Sequence, residues 1–129
     1  MARIEKFEDL EIWQLARQIT NDIQIISNNS DLRKDYKLYS QIDSSSGSAM
    51  DNIAEGFERG GNKEFHQFLS IAKASIGETR SQMYRVLDRN YCDQKTFEII
   101  TSKCITLSKR TKAFMKYLKE SELKGNKFK

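Results

Sequence analysis

The stretch DNIAEGFERGGNKEF, residues 51–65, lies in the middle of the chain and holds three of its six glycines. Its reading decides the fold: a phosphate-cradling loop, a nuclease corner and a bend between two helices each imply a different protein. A phosphate-binding loop needs G-x-x-x-x-G-K-S/T after a strand, so that backbone amides and the lysine converge on phosphate oxygens. Gly56 and Gly61 have that separation, but Asn62 displaces Lys63 by one place and no Ser or Thr follows to hold magnesium. As punctuation the stretch makes better sense. Gly60 or Gly61 supplies the left-handed residue that ends one helix, and Asn62 caps the next.

Working outward, the segments on both sides carry apolar residues at alternating steps of three and four, the period of a helix with one buried face. A helix over about 32–59 has Tyr39, Ile42, Ser46, Ala49, Ile53 and Gly56 on one line, and its small residues allow a neighbouring backbone to come close. A helix over about 62–90 carries Phe65, Leu69, Ala72, Ile76, Thr79, Met83 and Val86. Before them, a helix over about 8–27 carries Ile12, Ala16, Ile19, Ile23 and Ile26; Leu10, Trp13 and Thr20 widen its apolar arc enough to suggest a second contact surface. After them, a helix over about 94–120 carries Ile100, Cys104, Leu107, Thr111, Phe114 and Leu118, followed by a frayed tail at 121–129. Four such segments with short connections predict an all-α protein, an antiparallel up-down-up-down four-helix bundle forming a single domain over 1–129.

Composition agrees. The 129 residues include no proline, and 38% hydrophobic with 31% charged residues suits helices that each show one face to water. No run approaches the roughly 20 apolar residues of a membrane span, and acidic residues interrupt the N-terminus before a signal peptide could form, so a cytoplasmic, membrane-free location is expected. Cys92 and Cys104 lack the spacing of a zinc or redox pair. No cofactor, metal or catalytic residue is expected.

Two polar features need an account. Arg59 and His66 match the loose spacing of the all-helical HEPN ribonucleases, a pairing that would set a cation on the scissile phosphate and an acid or base beside the 2′-hydroxyl. The pattern is short, Gly60 rather than a polar residue follows the arginine, and the two straddle a turn, so a solvent-facing histidine at a helix start is the preferred reading. Asn52 and Glu55 lie among Ile53, Ala54 and Phe57. If they face the core they require partners, since an unsatisfied buried polar group costs about 1–3 kcal/mol. Ser75 and Glu78, together with Arg85, are the partners expected on the next helix, making a structural polar network.

These residues carry a family likeness. Phe7-x-Asp9-Leu10-x-x-Trp13-Gln14, Gln41, the run Asn52-Ile53-Ala54-Glu55-Gly56-Phe57, Lys63-Glu64-Phe65, and Phe68-Leu69-x-Ile71-Ala72-x-x-Ser75-x-x-Glu78 follow in order over nearly the whole domain. The pattern resembles the four-helix-bundle proteins encoded in intervening sequences of bacterial 23S ribosomal RNA genes. The resemblance implies a homo-oligomer, a ring of five, with no enzymatic activity attached. It is more distantly similar to the accessory protein of diversity-generating retroelements, which binds nucleic acid and a reverse transcriptase. The chain departs from the pattern at Asp43 and Ser44, where relatives often carry two arginines, and at Met50, where a proline often stands.

Positive charge is concentrated at the end. From Lys103 onward nine basic residues face two acidic ones, a balance of +7, which leaves −3 for the rest of a chain whose total is +4. Lys109, Lys112, Lys116 and Lys119 recur at steps of three, four and three opposite the apolar line, and with Lys103 and Arg110 they form the candidate contact to RNA or DNA phosphates. The alternative expectation is a scaffold or accessory subunit whose partner is a protein.

Overall fold

The computed structural model describes residues 4–123. Among them are four helices: α1 (Glu11–Asn29), α2 (Tyr36–Glu58), α3 (Asn62–Asp88) and α4 (Gln94–Leu123), with short 3-10 turns at Phe7–Asp9 and Asp31–Lys34. Contacts between side chains fix the directions. Gln24 and Thr20 of α1 meet Tyr39 and Met50 of α2. Ser45 of α2 meets Thr79 and Gln82 of α3, while Ser48 meets Ser75. Tyr84 packs on Phe97, and Phe65 on Phe114, between α3 and α4. Asp22 and Glu11 reach Lys103 and Arg110 between α1 and α4. In every pair one sequence number rises as the other falls, so neighbours are antiparallel. α1 and α4 close the bundle, while α2 and α4 occupy opposite corners and run parallel.

The apolar lines read from the sequence are the core: Ile12, Ile23, Ile42, Ile53, Leu69, Ile76, Met83, Ile100, Leu107 and Leu118 are all buried. The α2–α3 seam is the closest. A Cβ placed on Gly56 would stand 2.7 Å from Phe68 Cβ and 2.9 Å from Phe65 Cδ1, so the glycine is where the two helices touch. The turn that follows is made as expected by Gly60, at φ +81°. Gly61, with extended backbone, is the N-cap; Asn62 is the first residue of α3 and is buried, rather than being the cap.

Other boundaries also shift. α1 starts at Glu11 rather than residue 8, because Asp9 accepts the amides of Glu5 and Lys6 and shapes a separate turn. It runs on to Asn29, as the Asn29 and Ser30 side chains donate to the carbonyls of Ile25 and Ile26. α2 waits until Tyr36, capped by the Asp35 carboxylate, which accepts from the Leu38 amide. α3 stops at Asp88 and Asn90 takes the left-handed conformation, φ 61°. The tail predicted at 121–129 is helical through Leu123, with Ser121 buried; 124–129 lie outside the described residues. Part of the wide apolar arc of α1 is covered within the chain: Leu10 is buried, while the half-buried Trp13 packs on Phe7 with centroids 5.1 Å apart and the half-buried Thr20 faces Met50. No helix among the described residues is long and apolar enough to cross a membrane.

Both connections at one end are tied together. Asp35 Oδ2 accepts from Arg89 at 2.7 Å and from the Tyr91 hydroxyl at 2.9 Å, and these bonds hold its carboxyl below the usual value of 3.8.

Glycine substitutions probe this packing from two sides. Gly56→Ala forces side chains apart and is expected to lower stability by about 1–3 kcal/mol even though alanine favours helix. Gly77→Ala, where nothing lies within 4 Å of the added carbon, is expected to raise it by about 0.5–1 kcal/mol; urea unfolding of both variants checks the contrast. For Asp35, whose folded pKa is depressed, the stabilisation is complete above the unfolded value of 3.8 and disappears as pH falls through the lower folded value. The melting temperature of Asp35→Asn should lie below wild type at neutral pH and the gap should close in acid below that range.

Candidate nucleic-acid interface

The last helix owes its length to its sequence: 30 residues with no proline or glycine and a continuous buried line. Its buried Leu107, Thr111 and Leu118 fix its rotation against α1 and α3, and that rotation turns Lys109, Lys112, Lys116 and Lys119 to solvent. All four are exposed, and among the described residues none pairs with a carboxylate. The row is about 15 Å long at 1.5 Å rise per residue. Four unneutralised ammonium groups along a single edge form an electrostatic surface suited to a polyanion, without a device for reading bases.

Lys103 and Arg110 are turned elsewhere. Lys103 Nζ lies 2.6 Å from Asp22 Oδ2 in a pair with both side chains more than 70% buried, and Arg110 lies 3.2 Å from Glu11. They tie α4 to α1, Lys103 in a half-buried pair and Arg110 in one at the surface, which sets them apart from the row of four lysines. Lys124, Lys127 and Lys129 lie outside the described residues.

The polar network exists with different members. Asn52 donates to Ser48, both to its carbonyl at 2.8 Å and its hydroxyl at 3.0 Å, and Ser48 meets Ser75 Oγ at 3.0 Å. One turn further, Ser45 meets Thr79 at 2.7 Å and donates to Gln82 at 2.6 Å, all three buried. Glu55 is not part of it: it is exposed and pairs along its own helix with Arg59 at 3.6 Å. Glu78 is exposed as well, on the rim of an open polar groove of about 510 Å³ that it shares with Arg85. Both carboxylates stay in water because hydroxyls and amides fill the seam at no charge-burial cost. Ser45, Ser48, Thr79 and Gln82 were not expected from the sequence. A signal for them exists, since Ser45 and Ser48 fall a step of three apart, bordering the apolar line of α2, and Thr79 lies within that of α3.

Arg59 and His66 do not converge. The Arg59 guanidinium sits 5.0 Å over the Phe68 ring and against Glu55. His66 precedes Phe68 by two residues, about 200° around α3, on its other flank. Burial pushes the Cys104 thiol up to about 12 and also raises that of Cys92, so neither is a ready thiolate at neutral pH. No group of three or more metal-ligating side chains occurs among the described residues.

The fold and this face define an all-α bundle with a cationic outer edge on its last helix. A model of the family described as 23S rRNA-intervening sequence protein matches residues 8–113, and the chain belongs to that family. No curated protein matches it.

Lys103 and Asp22 give a test of the division between structural and free cations. Lys103→Met and Asp22→Ala should each lower stability, and the double-mutant cycle should show a coupling of about 1 kcal/mol in thermal or urea unfolding.

Proposed function

We propose that this chain is a non-enzymatic, homo-oligomeric nucleic-acid-associated protein that holds RNA or DNA by its phosphates through the outer face of α4. The observation that carries this reading is that, among the described residues, no carboxylate pairs with Lys109, Lys112, Lys116 or Lys119, beside two cations that are paired. Membership of a family named for an intervening sequence of 23S rRNA supports RNA as the first polyanion to try. The contact is non-specific in sequence, because ammonium groups on flexible stems neutralise phosphates without reading base edges. Repetition of the row in an assembly turns several weak contacts into one durable attachment.

The test is a salt titration of retention on single-stranded RNA and duplex DNA. Four phosphate contacts per copy give a slope of about −3 to −4 in log K against log salt. Changing the four lysines to glutamine removes the counterion release at those phosphates, so it should flatten the slope and weaken binding at low salt by a factor of about 10 or more, while Lys103→Gln leaves the slope unchanged. No retention of the wild type at low salt would rule the reading out.

A further inference from the structure

The groove between α2 and α3 has a polar lining that the fold does not use up. All ten residues around its 510 Å³ are polar, six of them serine, so it offers no ring or aliphatic surface to a base or a lipid tail. On its floor Gln82 is 5% exposed. Ser45 donates to the Gln82 Oε1, but among the described residues no acceptor meets the Gln82 Nε2. Nor is that nitrogen sealed in the core, where Thr111 Oγ1 is the enclosed side-chain atom without a partner among the described residues. It opens on the groove, and a donor so nearly buried is costly to leave unmatched, so the groove is built to receive an acceptor.

Charge along the groove runs from positive to negative. On α3, Glu78, Gln82 and Arg85 recur at steps of four and three, so the carboxylate and the guanidinium are rooted two turns apart, about 10 Å, with the amide between them. Both are exposed, and neither makes an ion pair among the described residues. The facing line of α2 repeats the order: Lys37, Gln41, Ser44, Ser48 and Asp51 recur at steps of four, three, four and three. Ser45 meets Gln82 and Ser48 meets Ser75, so Lys37 lies about one turn beyond Arg85 and Asp51 about one turn beyond Glu78. A matching ligand is anionic at one end, cationic at the other and carries an acceptor between. A polyanion is repelled at the Glu78 end.

We infer that this groove binds a short zwitterionic peptide, with its carboxylate on Arg85, a backbone carbonyl on Gln82 Nε2 and its ammonium on Glu78. Three residues of extended chain span about 10 Å, the spacing of the two charged residues along α3. The serine hydroxyls of both walls donate and accept, so they suit the remaining peptide N–H and C=O groups without selecting side chains. A guanidinium fork takes a carboxylate bidentately, which sets the direction in which the peptide lies. The site belongs to α2 and α3, apart from the lysine row of α4, and stands whether or not that row binds nucleic acid.

Isothermal titration calorimetry of the full chain with triglycine tests this. Wild type is expected to give a saturable isotherm with one site per chain. N-acetylation removes the ammonium and amidation removes the carboxylate, and each is expected to weaken binding about tenfold or more. Glucose 6-phosphate, which offers Arg85 an anion but Glu78 no cation, should be weaker by a similar factor. Arg85→Gln should bind triglycine and its amide equally while still preferring triglycine to the acetylated form, and Glu78→Gln should show the reverse pattern. Both side chains are exposed, so helical circular dichroism should be unchanged in either variant. Changing the four α4 lysines to glutamine should leave triglycine binding as it is, which keeps this result distinct from that of the polyanion titration. No saturable binding up to the solubility of the peptide, blocked peptides or glucose 6-phosphate that bind as tightly as triglycine, or variants that keep both preferences would each overturn the inference.

Discussion

The bundle depends on how closely α2 and α3 approach at Gly56. With a carbon 2.7 Å from Phe68 Cβ, any side chain there would push the helices apart. Separation would pull Phe65 away from Phe57 and Phe114, whose rings it touches, and would open the serine and threonine bonds further along the seam. Interiors are packed too densely to absorb such a shift locally. The chain therefore keeps a residue that weakens the helix in isolation, since tertiary contact returns more than propensity loses.

The same constraint of position governs the charges. A half-buried pair such as Lys103 with Asp22 can orient one helix on another because both partners are held at 2.6 Å and largely shielded from water. Among the described residues the lysines further along α4 meet no such partner and face solvent. One helix thus divides its cations between holding the bundle closed and facing outward, and the division follows from its rotation. Residues about 40–60° to either side of the buried line reach a neighbouring helix, and those opposite it do not.

The helices were legible because burial imposes a period: Ile12 to Ile26, Phe65 to Val86 and Ile100 to Leu118 lie where the spacing placed them. So was the turn at Gly60, because few other residues accept its backbone. The starts of α1 and α2 were not, since Asp9 and Asp35 act through side-chain bonds that a periodic pattern does not contain. Lys103 and Arg110 read as members of the basic face because their carboxylate partners are 81 and 99 residues away. Glu55 read as a member of the polar network because it borders an apolar run, but a carboxylate half a turn off the core stays in water. The row at Lys109 to Lys119 was legible for the opposite reason, as its placement needed only the period of its own helix.

The Asp35 clasp has a further consequence, for the order in which the molecule comes together. It joins positions 54 and 56 residues apart, whereas the helical hairpins on either side of it form from nearer neighbours. Closing so long a span is entropically costly until those hairpins exist. The clasp therefore forms only after the hairpins it joins, when the connection after α1 meets the one after α3, and its loss is expected to speed unfolding more than it slows folding.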